Sequence, residues 1–306
     1  MSPSGPRPVA VELNAVLVAL IDDEPQVLTL EDGALLPSGP FEGDHPTLQA
    51  GVRAWVERQT HHPLGYVEQL YTFADRYRES TMGYRIVSIS YLGLTRERAA
   101  AGQREPGWQS FYRYFPWEDW REGQPKLLAR VILPRLRSWI DAATDDTRRQ
   151  RRQRVEGNFD LSAWNEEPML QRYELLYEAG LVPEAGRPRK PVADPVPGEP
   201  MRYDHRRILA TGIARLRAKI KYRPVVFELM PPDFTLGQLQ RAVEALAGRL
   251  LHKQNFRRQV EQQGLVEETG AMTAGTGGRP AKLYRFRREI VLERAVAGSK
   301  LPLARS

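Results

Sequence analysis

The sequence predicts an α/β (α+β) chain in two parts. A mixed strand-and-helix domain fills most of the length, and a small basic domain closes it. Three observations carry this reading. Residues 11–95 run strand, strand, helix, strand, strand by their apolar periodicity. Residues 201–306 hold 21 Lys/Arg against 9 Asp/Glu, a net +12, whereas residues 1–200 hold 24 against 29, a net −5. Residues 234–286 place a capped helix, a turn, a basic helix and two alternating runs in succession.

The 306 residues suffice for two domains, and the 41% hydrophobic share is that of a chain with a packed core. No apolar run approaches the length of about 18 residues that a membrane span needs. Residues 1–8, Met-Ser-Pro-Ser-Gly-Pro-Arg-Pro, offer no apolar signal segment. The chain has no cysteine, which excludes disulfides, thiolate metal sites and cysteine nucleophiles. Together these point to a cytoplasmic protein without a membrane partner.

Residues 1–10 are expected to be disordered. Residues 11–20 ("VELNAVLVAL") and 26–30 ("QVLTL") are strands of a hairpin turned at "IDDEP". In residues 47–60, Leu48, Val52, Trp55 and Val56 recur at helical spacing. Residues 65–75 and 84–95 are strands rich in Val, Ile and Tyr. The aromatic cluster of Trp108, Phe111, Tyr112, Tyr114, Phe115, Trp117 and Trp120 reads as core or dimer packing, since few basic residues interleave with it. Residues 126–143 are a helix that kinks or restarts at Pro134. Residues 145–157 form a solvated charged helix, and 168–182 a helix stopped by Gly180. Residues 183–200, rich in Pro and Gly, read as an exposed linker. Residues 203–222 are a helix lined by Ile208, Gly212 and Leu216, and 223–231 a short strand.

At the C-terminus Thr235 is an N-cap, with Gln238 completing a capping box and Phe234 and Leu239 set as a hydrophobic staple. Leu236, Leu239, Val243 and Leu246 form its buried stripe, and Gly248 ends it. A second helix follows from about 252 to 263, ended by Gly264. Phe256 and Val260 must seat it, which turns Lys253, Gln254, Arg257, Arg258 and Glu261 outward and leaves Asn255 at the boundary. The Lys, Gln, Asn and Arg side chains among them donate to phosphates and base edges. Two strands around a Gly/Thr-rich loop with Arg279 complete a winged helix-turn-helix. The same pattern also serves winged helices that bind protein.

The segments "YDHRRIL", "FTLGQLQ", "NFRR", "GLVEETG" and "GRPAKLYRF", in that order over residues 203–286, closely resemble the C-terminal half of the Nudix-related transcriptional regulators of NAD metabolism. "ALLPSGPF", "VEQLYTFAD" and "IVSISYLGL" are similar to the Nudix-like effector domain of that family. The resemblance implies a Nudix-like sandwich at 11–222, with a long insertion at about 100–200. It also implies a winged helix-turn-helix at 223–290 and a tail at 291–306. The extra length resembles the alphaproteobacterial branch that controls NAD-biosynthesis genes.

A Nudix hydrolase holds Mg²⁺ with an Arg-Glu-apolar-any-Glu-Glu run on its helix. Here that run reads Ala54, Trp55, Val56, Glu57, Arg58, Gln59, so the Arg and all three glutamates are replaced. A cation at Arg58 repels the metal. The helix is kept and the chemistry is lost, so no catalytic or metal residue and no cofactor is expected. The resemblance implies instead a nucleotide effector: ADP-ribose, NAD or a related adenine nucleotide. Candidate contacts are Glu68, Gln69 and Tyr71 on one strand and Arg85 and Ser88 on the next, each of which, taken singly, reads more readily as ordinary sheet surface. His61 and His62 lack further ligands at metal-binding spacing, and "GTGG" (275–278) is a wing turn rather than a phosphate loop.

The expected function is a repressor of NAD-biosynthesis genes, a homodimer that reads a pseudo-palindromic operator in double-stranded DNA. Lys253, Asn255, Arg257 and Arg258 would act on the recognition helix, Arg279 and Lys282 on the wing, and Lys219 and Lys221 on backbone phosphate. The alternative is a Nudix-type diphosphate hydrolase with a non-standard metal site.

Overall fold

The structure, a computed structural model, describes residues 9–62, 64–74, 85–96, 107–186, 191–273 and 280–287. The expected disorder of residues 1–10 lies outside these, except that β1 (Val9–Ile21) already begins at Val9. The tail at 291–306, Arg279 and the wing turn also lie outside them.

β1 turns into β2 (Glu24–Leu28) through Asp22 and Asp23, whose φ values are 53° and 61°. Two successive left-handed residues are what a two-residue hairpin turn requires, and Asp accepts that conformation better than most residues. β3 (Ser38–Pro40) pairs with β1, and α1 (Leu48–Thr60) follows. β4 (Tyr66–Phe73), β5 (Arg85–Leu94) and β6 (Trp108–Ser110) complete the sheet in the order β4-β5-β1-β2-β6. β1 and β5 are parallel over ten paired residues from Val9↔Arg85 to Val18↔Leu94, and the other pairs are antiparallel.

The alternation of β1 divides two cores. Leu13, Ala15, Leu17 and Ala19 pack with Val52 and Val56 of α1. Val16 and Val18 face the other way, into the larger core. That second face is covered by α5 (His205–Tyr222), where Gly212 lies so close that a Cβ would stand 2.8 Å from Val16.

Between sheet and α5 the chain inserts α2 (Leu133–Asp141), α3 (Asp145–Asn158) and α4 (Met169–Glu178). The break foreseen at Pro134 is real: a π-helical turn at Leu128–Ile132 gives way to α2, with the proline at its first turn, where no backbone donor is needed. α3 buries only Val155, as its charge pattern predicts. Phe111, Tyr114, Phe115 and Trp117 are fully buried, so the aromatic cluster is core.

Two expectations are corrected. Residues 223–231 are not a strand but contain a 3-10 turn at Val225–Glu228. Val225, Val226 and Phe227 are buried in succession, and Phe227 stacks on Phe286 at 4.2 Å. A run buried on all sides has no period to distinguish turn from strand. Of the linker at 183–200, residues 183–186 and 191–200 are described, and these are anchored: Val196 is buried and donates its N–H to Leu181 at 2.8 Å, and Glu199 donates to Arg113 at 3.0 Å.

The C-terminal domain comprises β7 (Asp233–Phe234), α6 (Leu236–Ala247), α7 (Lys253–Gln263), β8 (Val266–Met272) and β9 (Lys282–Phe286). Its three strands lie in the order β7-β9-β8.

Candidate nucleic-acid interface and nucleotide-binding face

The capping box of α6 is formed in both directions. Gln238 N–H donates to the Thr235 hydroxyl at 3.1 Å, and Thr235 N–H to the Gln238 side chain at 2.8 Å. Leu236, Leu239, Val243 and Leu246 are buried, and Gly248 ends the helix at φ 74°. Glu244 and Gln240 then fix the turn: the Glu244 carboxylate accepts from Leu251 N–H at 2.8 Å, and Gln240 donates to the Leu251 carbonyl at 3.1 Å.

α7 starts at His252, whose Nδ1 caps Asn255 N–H at 3.5 Å, and stops at Gly264 with φ 58°. Phe256 and Val260 are 1% and 0% exposed, so the face of the helix is decided as the spacing foretold. Lys253, Gln254, Arg257 and Arg258 are exposed, and Asn255 is half-buried and accepts from Arg258 at 3.3 Å. Among the described residues neither Lys253 nor Arg257 has an acidic partner. These cations stand on a short helix that two apolar side chains hold from behind, which is the geometry of a recognition helix.

The described strands of the wing offer less unpaired positive charge than their sequence implies. Lys282 is exposed but pairs with Glu268 at 2.8 Å, and Arg285 pairs with Glu267, its cross-strand neighbour, at 2.6 Å. The Lys282 ammonium is therefore held above its ordinary range by the hydrogen bond and charge of Glu268.

Lys219 and Lys221 are placed differently from the sequence reading. Lys219 is ion-paired with Glu68 and donates to the Tyr66 hydroxyl at 2.8 Å. Lys221 binds Glu166 at 2.9 Å and Glu167 at 2.5 Å. Both side chains are largely covered, at 15% and 16% exposure, because α5 packs on the sheet and the insertion instead of presenting its last turns to solvent.

The five candidate nucleotide contacts do not converge. Glu68 faces Lys219 and Arg215 of α5. Burial alone would raise its carboxyl, but Lys219 and Tyr66 outweigh it and hold the group below its ordinary value. Ser88 is fully buried and accepts from Asn14. Gln69 is exposed, and the register slips between it and Thr72, leaving Tyr71 61% exposed and edge-on to Phe73 at 5.2 Å. Arg85 donates to the Ala74 carbonyl at 2.9 Å. Tyr66, Arg215 and Asn14 are neighbours that periodicity did not select, because each depends on which strand β1 and β5 adjoin.

The α1 face does not fit a divalent metal. Trp55 donates to the Pro40 carbonyl at 2.8 Å and lies flat on Gly39, where a Cβ would come within 2.2 Å of the ring. The Arg58 guanidinium sits 4.6 Å from the Trp55 ring centroid. Gln59 exchanges two hydrogen bonds with the Ser38 backbone, at 3.1 and 2.8 Å. The positions that a hydrolase gives to carboxylates thus hold an indole, a cation and an amide already engaged. His61 is the left-handed cap of α1, and His62 packs against Trp108 at 5.5 Å. Among the described residues, Glu42, Asp44 and His45 form an acidic cluster before α1, where His45 Nδ1 accepts from Glu42 N–H at 3.1 Å.

Fold and site together define a Nudix-like α/β domain carrying a C-terminal winged helix. Residues 226–286 match the family model described as the NrtR DNA-binding winged helix domain. Over 84 residues the chain is 44% identical to the ADPR responsive transcriptional repressor NtrR of Acinetobacter baylyi, a match that takes in 28% of this chain and 33% of that protein. The match to this curated relative therefore spans about a third of its length. Shewanella oneidensis NrtR superposes with a TM-score of 0.52 at 20% identity, covering 90% of this chain and 94% of that one. The same protein complexed with a 27mer DNA gives 0.51 at 20% identity, over 90% and 93%. A MutT/nudix family protein from Enterococcus faecalis gives 0.51 at 16% identity, over 94% and 89%. At these identities the likeness to the solved structures is one of fold. The C-terminal domain is a winged helix of the NrtR type, joined to a Nudix-like domain.

Proposed function

We propose that the chain is a DNA-binding transcriptional repressor of NAD-biosynthesis genes, whose Nudix-like domain binds ADP-ribose or a related adenine nucleotide without hydrolysing it. The observation that carries the reading is α7: Phe256 and Val260 seat it, and Lys253, Arg257 and Arg258 stand exposed on its outer side. The relative named as ADPR responsive supports ADP-ribose as effector. The engaged side chains of Trp55, Arg58 and Gln59 support binding without hydrolysis. A homodimer on a pseudo-palindrome follows from the limited specificity of one small module, since paired half-sites multiply it. The length of the insertion supports the alphaproteobacterial branch, and the absence of cysteine supports a cytoplasmic location.

The test is a mobility shift of the full chain on promoter fragments of NAD-biosynthesis genes, with and without ADP-ribose, NAD and ATP. A shift altered by one of these nucleotides is expected. No shift of any fragment at low salt would sink the DNA reading. Turnover of ADP-ribose or NADH with Mg²⁺ would favour the hydrolase instead.

A further inference from the structure

The insertion does more than enlarge the core. Glu118, fully buried, receives Arg172 Nε at 2.6 Å, Arg172 Nη2 at 2.7 Å and Arg217 Nη1 at 2.7 Å. Both arginines are buried too, Arg172 on α4 and Arg217 on α5. Burial alone would raise the Glu118 carboxyl, but the two guanidinium groups outweigh it and hold it below its ordinary value.

The hub reaches out to the last turn of α6. Arg217 Nε donates to the Leu246 carbonyl at 3.0 Å. The Tyr112 hydroxyl donates to the Ala245 carbonyl at 2.5 Å. Trp120 N–H donates to the Gly248 carbonyl at 2.6 Å. The final carbonyls of a helix have no partner within it. Here three carbonyls at the end of α6 are satisfied by the 112–120 segment and α5. Gly248 packs so tightly that a Cβ would stand 2.3 Å from the Glu118 carbonyl oxygen. Immediately beyond, Arg249 approaches Glu166 at 3.7 Å, and Lys221 holds the same carboxylate at 2.9 Å. The grip falls on the turn that leads into α7, and Phe256 and Val260 share one core with Trp117.

We propose that Glu118, Arg217 and Tyr112 are positioning residues for the DNA-binding helix: the insertion clamps the α6–α7 turn, so that winged helix and Nudix-like body move as one unit. The functional meaning rests on the DNA-binding reading, but the clamp itself does not. An effector bound to the body would then move α7 by moving the whole protomer, not by swinging a tethered head.

The test is amide hydrogen exchange of the full chain, read by mass spectrometry. One variant is Tyr112→Phe, which removes a single donor and keeps the ring. The other is the triple variant Glu118→Leu, Arg172→Met, Arg217→Met, which removes all three charges together and leaves no lone buried ion. Peptides over residues 244–263 are expected to exchange about tenfold faster in both variants while β1 and β5 keep their protection. Unchanged exchange over 244–263 in both would overturn the inference. So would a uniform rise over the whole chain in both, which would mark the network as a general stabiliser. The exchange measurement contains no DNA, so a wild-type chain that retains no duplex would remove the DNA reading without touching this result.

Discussion

Lys219 and Glu68 form an ion pair that joins α5 to the edge strand β4, with Tyr66 bonded to both. The sequence reading assigns these residues to two different ligands, Lys219 to phosphate and Glu68 to a nucleotide. Each is the other's partner. Lys219→Ala should therefore leave the salt dependence of duplex binding unchanged. It should instead lower stability by about 1 kcal/mol, the usual cost of leaving a half-covered charge without its hydrogen bond. Binding titrations across a salt series, paired with denaturant melts, check both halves. A salt slope that falls by nearly one would restore Lys219 to the phosphate contacts.

Arg257 and Arg258 should behave in the opposite way. Both are exposed on α7, and their removal uncovers no core. The double variant Arg257→Ala, Arg258→Ala should melt within about 0.5 kcal/mol of wild type. Its duplex affinity should drop strongly, and the slope of log K against log salt should shrink by roughly two if each arginine meets a phosphate. Unchanged operator affinity would show that α7 does not face the DNA.

These two variants mark the limits of what the sequence discloses. The α7 face was legible because Phe256 and Val260 sit one turn apart and burial follows from helical period. The capping box and the two terminal glycines were legible because they are local chemistry. The fates of Lys219, Lys221 and Glu68 were not, because they depend on which elements α5 crosses, a long-range fact. The Val225–Glu228 turn was missed for a related reason: three successive buried residues leave no alternation to read. The role of Glu118 left no local trace, since its partners lie 54 and 99 residues away.

Acid should loosen the chain at its buried carboxylates. At Glu118, Glu166 and Glu68 burial raises the carboxyl, but the neighbouring Arg and Lys groups outweigh it, so all three are held below the ordinary value of 4.5. A folded-state pKa below the unfolded one contributes stability that is fully present above the unfolded value and is lost as pH falls through the folded one. Melting temperature should therefore be flat with respect to these groups at neutral pH and fall as pH drops below 4.5. Replacing Glu118 by Gln should depress stability at neutral pH, by about 3–5 kcal/mol for a broken buried pair. It should also reduce the acid sensitivity. Thermal melts across pH on both proteins measure this, and an E118Q chain with the same acid profile as wild type would refute the assignment.

Gly248 and Gly264 offer a matched comparison at the C-terminal ends of α6 and α7. Both are left-handed, at φ 74° and 58°, so an alanine at either carries a conformational cost of roughly 1–2 kcal/mol. They differ in space. At Gly264 the nearest atom to an added Cβ is the Arg287 side chain at 3.8 Å, ordinary contact distance. At Gly248 the Cβ would meet the Glu118 carbonyl oxygen at 2.3 Å, the Tyr112 hydroxyl at 2.8 Å and Arg217 at 3.0 Å, of which the first is backbone and cannot rotate away. Gly264→Ala should therefore cost only the conformational amount, whereas Gly248→Ala should cost about 1–3 kcal/mol more, the range for overpacking a filled interior. Denaturant unfolding of the two variants decides it. Equal losses would mean that the 112–120 segment yields at Gly248, and the close approach of the insertion to α6 would then contribute no rigidity to the turn.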